Sequence, residues 1–264
     1  MLSSFQKVYN YRFLILQLIR VFALSPYKKS FLGGLWLIFF PIITVIIWIF
    51  LKGAGIVDPG DTEVPYPVYV LLSTSIWGLF LQLYKTVSQS ITNGGRMMMM
   101  NSFPHETIVA SLTITQLINF AILMIINISV ILLFGVRLSW LSFLFPLTLI
   151  PLILFGMTIG LFVAMLRVIA LDLCQAIDEG MKIVMYLTPI VYAPKIEISW
   201  LQSIINYNPL TYLIGFSRDI LVTGDLSLMK GYFICFAGTL VLFPLVLRFY
   251  LKNESKILER LINN

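Results

Sequence analysis

The chain has 264 residues, of which 59% are hydrophobic and 11% charged, and its formal net charge is +6. A water-soluble domain is about half apolar and about a quarter charged, so this composition excludes an ordinary soluble protein. Lipid is therefore the expected solvent, and we expect an integral membrane protein that borders anionic head groups. Two cysteines and a single histidine, His105, predict neither a disulfide framework nor a metal site, and no cofactor is expected.

The N-terminal segment, residues 4–24, predicts a helix that lies in the membrane interface. Its apolar residues are interrupted by cations, among them Arg12 and Arg20, before the run is long enough to span a bilayer. A basic amphipathic helix of this kind is typical of the interface between head groups and acyl chains. Arg12, Arg20, Lys28 and Lys29 are therefore candidates to contact lipid head groups.

Six apolar runs follow, each of about 20 residues and long enough to cross a bilayer. They cover residues 31–51, 66–91, 107–134, 140–166, 171–192 and 231–251. The fifth run is unusual because it carries Asp172, Asp178, Glu179 and Lys182. Lysine and arginine are concentrated in the segments on the side of the N-terminus, which predicts that both termini are cytoplasmic.

The connection between the fifth and sixth runs predicts two short helices. The stretches IEISWLQSII and LTYLIGFSRDIL are each too short to cross a membrane, and Asn208-Pro209 lies between them. A proline at this position ends one helix and begins the next. We expect both helices to dip back from the outer face, where protein or water must cover their ends.

The predicted fold is all-α and membrane-embedded, with six transmembrane helices, an N-terminal amphipathic interfacial helix and two short re-entrant outer helices before the last span. It forms a single domain over residues 1–264. Residues 1–30 form the interfacial helix, 31–192 spans one to five, 193–229 the outer helices, and 230–264 the last span and a cytoplasmic tail.

The sequence offers little support for an enzyme. It contains no G-x-x-x-x-G-K-[ST] loop, which excludes ATP hydrolysis through that phosphate-binding motif. It also lacks a nucleophile elbow. The carboxylates of the DPGDTE loop, Asp58, Asp61 and Glu63, are the one crude candidate for a catalytic cluster, and a solvated loop is their simpler interpretation.

Three segments, taken in chain order, share a pattern with one family of membrane proteins. The first is YKKSFLGGLWLIFFP at residues 27–41, in which a basic segment precedes S-x-L-G-x-x-W and a proline. The second is NGGRMMMMNSFPHE at 93–106, and the third comprises LTPIVYAP and NPLTYLIGFSRDILVTG around the outer helices. Together they resemble the ABC-2 type permeases that export lipid-linked polysaccharide such as O antigen, capsule or teichoic acid. The charged fifth span departs from that family's mostly apolar one.

The resemblance implies the membrane subunit of an exporter in the bacterial inner membrane. Two copies of the chain would assemble with two copies of a separate ATPase subunit and move a polyprenyl-diphosphate-linked polysaccharide outward. Nucleic acid is not among the implied partners. Two alternatives stay open: an ABC-2 permease for a drug or lipid, which usually lacks the SFLGGLW entry, and a membrane enzyme acting on a polyprenyl carrier.

The resemblance also implies roles for particular residues. Contact with the ATPase is expected of the methionine loop, namely Arg96, Met97, Met98, Met99, Met100, Phe103, Pro104 and His105. The translocation path is expected to include Trp36, Phe39, Phe40, Trp48, Tyr186 and Tyr192, and the outer gate Asn208, Pro209 and Arg218. Asp178, Glu179 and Lys182 are added to the path for their charge and not for the resemblance, since ionisable groups within a membrane face a cavity or each other. The simpler alternatives are that the methionines begin the third span and that the aromatic residues belong to the interfacial belts.

Asp178, Glu179 and Lys182 form the most specific candidate cluster. The two acids precede the lysine by four and three residues, so both can reach it on one helix. Ionisable groups within a membrane face a cavity or each other. Lys182 could attract the diphosphate of a lipid carrier, or the cluster could gate a closed pore. The alternative is a self-satisfied ion pair at a water-filled vestibule.

Overall fold

The computed structural model of the chain describes residues 9–195, with gaps at 25–32 and 93–104, and residues 198–263. Its α-helices are α1 Arg12–Leu24, α2 Trp36–Gly53, α3 Tyr66–Ser88, α4 His105–Leu133, α5 Phe145–Thr148, α6 Ile150–Arg167, α7 Leu171–Tyr186, α8 Ser199–Tyr207, α9 Pro209–Val222 and α10 Met229–Asn263. The described part of the chain contains no β-strand. The all-α prediction is therefore confirmed.

Four segments of the described residues are long and apolar enough to cross a membrane. They are Tyr66–Ser88, Glu106–Leu133, Ser142–Arg167 and Met229–Asn253. These correspond to the second, third, fourth and sixth apolar runs. The N-terminal part of the first run lies outside the described residues, and α2 provides a shorter apolar segment, Pro41–Gly53. The first and fifth spans thus stay predictions.

The fifth run is shorter as a helix than the sequence indicated. We expected it to continue to Tyr192, but α7 has 16 residues and ends at Tyr186. Pro189 explains the difference, because proline has no amide hydrogen and its ring clashes with the carbonyl four residues earlier in a helix. The chain then continues through a turn and a series of bends over residues 187–195, which we call the outer strap.

α3 is the central helix, and α6 packs closely against it. Within its apolar stretch α3 is 72% buried, whereas α4 is 22% buried and α10 11% buried, so the latter two lie at the periphery. Gly160 permits the close approach, since a Cβ there would lie 2.8 Å from the Cβ of Val87. Small residues bring transmembrane helices together in this way. The rings of Phe80 and Phe155 stack in the same interface.

The loops gather at two opposite ends of the bundle. At one end the amide of Ala193 donates to the carbonyl of Pro59, with 2.7 Å between N and O, and the amide of Ser139 donates to the carbonyl of Leu221. At the other end Val87, Val168 and Tyr250 share a buried cluster. We call the first the outer end and the second the inner end, following the orientation predicted from charge.

Helices occupy the three segments for which the sequence predicted the interfacial helix and the two outer helices, while their places relative to a membrane stay predictions. α1 rests on α4 through Leu18, which packs on Ile108, while the side chains of Phe13 and Leu16 are exposed. At the outer end Asn208 alone separates α8 from α9. How deeply α8 and α9 enter the membrane stays a prediction.

Candidate functional site

α7 has one narrow buried side and one broad exposed side. Cys174 and Met181 are its buried residues, and the half-buried Asp178 lies between them on the same side. Their spacing of four and three residues forms a single stripe along the helix. The opposite side exposes polar and apolar residues alike, namely Asp172, Leu173, Gln175, Glu179, Lys182, Ile183 and Tyr186.

A buried polar cluster joins α7 to its neighbours near the inner end. One terminal nitrogen of Arg167 contacts both carboxylate oxygens of Asp178, at 3.0 and 2.9 Å. The hydroxyl of Tyr84 donates to the same carboxylate at 2.6 Å, and Arg167 also lies 3.4 Å from the hydroxyl of Ser88. We call Tyr84, Ser88, Arg167 and Asp178 the inner cluster. It connects α3, α6 and α7.

The inner cluster corrects the pairing that the sequence indicated. Lys182 was expected to be within reach of both acids, and Glu179 does accept from it at 2.6 Å. Asp178 faces the other way, because successive helical residues point about 100° apart, and it pairs with Arg167 instead. The Glu179 and Lys182 side chains are 69% and 56% exposed.

Sequence reasoning missed Arg167 and Tyr84 as partners of Asp178. Arg167 lies just beyond the fourth apolar run, which ends at residue 166, and in the structure it is the last residue of α6 and is buried. The feature that could have indicated this pair was an arginine at the end of an apolar run, eleven residues before Asp178 in the next run. Such a charge needs a partner, since ionisable groups within membranes pair with one another.

The aromatic candidates lie on two helices that flank α3. α2 packs against α3 and α4, whereas α7 packs against α6 and α3, and within the described residues α2 and α7 do not pack on each other. The Trp36 and Phe39 side chains are 38% and 43% exposed, and Trp48 packs partly against the core. Tyr186 is exposed, and the hydroxyl of Tyr192 donates to its carbonyl.

At the outer end, Arg218 is buried in a set of bonds of its own. Its guanidinium donates to Asp219 at 2.8 Å and to the hydroxyl of Ser73 at 3.2 Å. It also lies 4.1 Å from the ring centre of Tyr69. The Tyr69 hydroxyl bonds the carbonyls of Pro189 and Tyr192. Arg218 thus ties α9 to α3 beneath the outer strap, and its part in an outer gate stays a prediction.

A cavity of about 660 Å³ opens beside Arg218 at the outer end. Its charged lining consists of Asp61, Glu63, Lys195, Arg218, Asp219 and Asp225. Burial raises the pKa of Asp219, and the adjacent Arg218 opposes that rise. Hydrogen bonds from Ser227 lower the pKa of the partly exposed Asp225 carboxyl. The described residues contain no group of three or more His, Cys, Asp or Glu side chains that could hold a metal ion.

Asn208 holds the outer strap to the start of α9. Its side-chain oxygen accepts from the amide of Leu210 at 3.0 Å, and its side-chain nitrogen donates to the carbonyl of Leu187 and the hydroxyl of Thr188. Pro209 occupies the first position of α9, where its missing amide hydrogen costs nothing. The helix boundary predicted at this dipeptide is confirmed.

Several candidate residues lie outside the described part of the chain. These are Lys28, Lys29, Arg96, Met97, Met98, Met99, Met100, Phe103 and Pro104, together with the side chains of Phe40 and His105. Of the other interfacial candidates, Arg12 lies over the rings of Tyr9 and Phe13, and Arg20 is exposed. That either arginine contacts lipid head groups stays a prediction.

Comparison with known proteins gives three relatives with one name, and no family model matches the chain. The chain is 24% identical over 221 residues to an O-antigen export system permease protein RfbA of Klebsiella pneumoniae, which covers 81% of this chain and 82% of that protein. A second protein of that name from the same species is 26% identical over 207 residues, covering 76% and 77%. The third, from Myxococcus xanthus, is 22% identical over 192 residues and covers 73% of each chain.

Proposed function

The chain is a relative of the ABC-2 type permeases of O-antigen export, and from that premise we propose that it is the membrane subunit of a polysaccharide exporter. Its substrate would be a polysaccharide linked to a polyprenyl diphosphate. Two copies would enclose the path in the inner membrane of a bacterium, with both termini in the cytoplasm. A separate ATPase, also in two copies, would supply the energy.

The observation that carries this proposal is the exposed polar side of α7. Glu179 and Lys182 are exposed on α7. Four other segments of the described residues are long and apolar enough to cross a membrane. A charged side chain facing lipid at mid-membrane costs roughly 2.5–3.5 kcal/mol, so this side of α7 requires water. A water-filled space between two copies of the chain would meet that requirement and would also admit a hydrated sugar polymer.

The exposed aromatic rings suit the same substrate. Trp36 and Phe39 on α2 and Tyr186 on α7 present rings away from the core of the single chain. Sugars place C–H faces against such rings and hydroxyls against polar tips, so the rings would hold a polymer without fixing its register. Because the side that α7 exposes is amphipathic, it would offer both kinds of contact along one path.

The ATPase would contact two segments at the inner end. The methionine loop is the first, since unbranched thioether side chains repack readily as a partner groove changes shape. The second is the turn over residues 168–170, which we call the inner turn. Ile169 in that turn and Leu171 just after it are 63% and 54% exposed, which leaves apolar surface for a partner.

The test is a lipid analysis of cells depleted of this chain, with re-expression of the chain as the control. Mass spectrometry would identify polyprenyl-diphosphate glycans in the extract. Long glycans that accumulate on the carrier, and disappear on re-expression, would support the proposal. An unchanged lipid profile would instead indicate a drug or lipid exporter, and loss of the glycan-lipid would indicate an enzyme.

A further inference from the structure

α7 is attached to the rest of the chain by a narrow contact. Only Cys174 and Met181 are buried on it, with Asp178 half-buried between them, and its neighbours are α6 and α3. Ile177, Val184 and Met185 pack partly against the same core, but apolar contacts have little directional preference and do not by themselves fix the rotation of a helix. The strongest directional side-chain contact in this stripe is the bond that Asp178 makes, since Cys174 adds only a thiol contact of 3.8 Å to the carbonyl of Val163.

The partner of Asp178 makes that bond difficult to break. The Arg167 side chain is 6% exposed and that of Asp178 is 21% exposed. Separating them would leave a buried guanidinium without a counter-charge, which is strongly unfavourable. Tyr84, which is fully buried in α3, donates to the same carboxylate and so fixes its position as well as its charge.

The position of the Arg167–Asp178 pair in the chain allows it to transmit a displacement from the inner turn to α7. Arg167 is the last residue of α6, and Asp178 lies two helical turns into α7, so the bond closes the hairpin formed by α6, the inner turn and α7. A displacement applied to the exposed inner turn would reach α7 without being absorbed by bending at residues 168–170. The Glu179–Lys182 pair cannot do this, since both partners are on α7.

We propose that Arg167 and Asp178, held by Tyr84, are positioning residues that make the inner turn and α7 move as one rigid unit during transport. The inference rests on the proposed function, in which the inner turn contacts the ATPase and α7 lines the path. It adds the element that connects the two. Without the pair, ATP would still be hydrolysed, but the movement of α7 would no longer follow it.

The first experiment measures amide hydrogen exchange across α7 in the complete complex of this chain with its ATPase. Asp178→Asn is compared with Glu179→Gln, which removes an acid from the exposed side of the same helix. We expect exchange in α7 to become at least about tenfold faster in Asp178→Asn, because local opening becomes easier, and to be unchanged in Glu179→Gln. Equal exchange in both variants and the original chain would overturn the inference.

The second experiment measures glycan moved per ATP hydrolysed, per assembled complex, in vesicles. We expect this ratio to fall at least about tenfold in Asp178→Asn and to recover partly in Asp178→Glu, which restores the charge. Asp225→Asn, an equal change of charge at a partly exposed residue of the loop before α10, is the control and should keep the ratio. A role in stability alone would lower the amount of complex and leave the ratio unchanged, and that result would overturn the inference.

A double variant, Arg167→Met with Asp178→Leu, covers the case in which Asp178→Asn does not fold. Replacing a buried ion pair by apolar residues of similar size is often neutral for stability. We expect it to assemble and still show the lower ratio; a normal ratio would contradict the inference. If the unmodified complex moves no glycan, the proposed function fails, and the exchange experiment alone decides on the rigid unit.

Discussion

Neighbouring acids on one helix can have separate roles, as Asp178 and Glu179 do. Asp178 forms an ion pair with Arg167 inside the bundle, whereas Glu179 and Lys182 form an exposed pair. Exposed pairs contribute little to stability, about 0–1 kcal/mol. Breaking this pair so that Lys182 binds a ligand would therefore lower the stability of the fold only slightly.

Replacing Lys182 should consequently affect export more than assembly. We expect Lys182→Ala to reduce the polysaccharide at the cell surface several-fold while the amount of complex with the ATPase stays constant. Lys182→Arg, which keeps the positive charge, is the matched variant and should retain most of the export. Full export by Lys182→Ala would rule out a role for this lysine in the path.

Asn208 is expected to be a structural residue of the outer gate. Asn208→Ala removes the cap of α9 and two bonds to the outer strap, so we expect it to lower the free energy of unfolding by about 1–3 kcal/mol. Thermal unfolding of the purified protein in detergent measures this. Asn206→Ala is the control, since that side chain bonds Gln202 on the exposed surface of α8; an equal loss in both variants would contradict the assignment.

At the scale of elements, the contact between α3 and α6 depends on one glycine. A Cβ at Gly160 would lie 2.8 Å from Val87 Cβ and 3.1 Å from the carbonyl oxygen of Tyr84. We expect Gly160→Ala to destabilise the protein by about 1–3 kcal/mol through overpacking. Val87→Gly removes the Cβ that would clash, so the double variant should be less destabilised than the sum of the two single changes.

A second glycine provides the control for that prediction. Gly238 in α10 has open space around the Cβ position, so alanine there meets no neighbour. Because alanine favours a helix more than glycine does, Gly238→Ala should leave stability unchanged or raise it by up to about 1 kcal/mol. Comparable unfolding temperatures for Gly160→Ala and Gly238→Ala would show that the close approach of α3 and α6 does not require glycine at residue 160.

The elements that the sequence predicts best are those marked by a pattern of consecutive residues, such as a long apolar run or a proline at a helix start. Long apolar runs predict the four confirmed membrane-length helices, and Asn208-Pro209 predicts the boundary between α8 and α9. The end of α7 was placed too late because the apolar character of residues 187–192 outweighed the effect of Pro189. Helical spacing describes neighbours on one helix only, so the partners that Asp178 finds on α3 and α6 could not be read from it.

At the scale of the whole molecule, the proposed function implies that a single chain would form only part of the path. It exposes aromatic residues on α2 and a partly charged side on α7, and within the described residues these two helices do not pack on each other. Association of two copies would bring such surfaces together around a shared space. Symmetric association through one common surface is the usual arrangement for identical subunits.

The proposed coupling between ATP hydrolysis and the movement of α7 also involves the whole molecule. The methionine loop and the inner turn are the proposed contacts for the ATPase, and the inner cluster is the proposed connection from the inner turn to α7. The outer end is held differently, since Arg218, Tyr69 and Asn208 bind the outer strap to α3 and α9. Movement at the inner end would therefore have to loosen these bonds before a polymer could leave.

The most direct test of the account is transport by the purified chain with its ATPase in sealed vesicles that contain a polyprenyl-diphosphate-linked glycan. The measurement is the fraction of glycan that becomes accessible to a glycosidase on the side opposite the ATPase. We expect a rise that requires ATP and both subunits and that is strongly reduced by Lys182→Ala. An assembled complex that hydrolyses ATP in the presence of the glycan and moves none of it across the membrane would rule out the proposed export function.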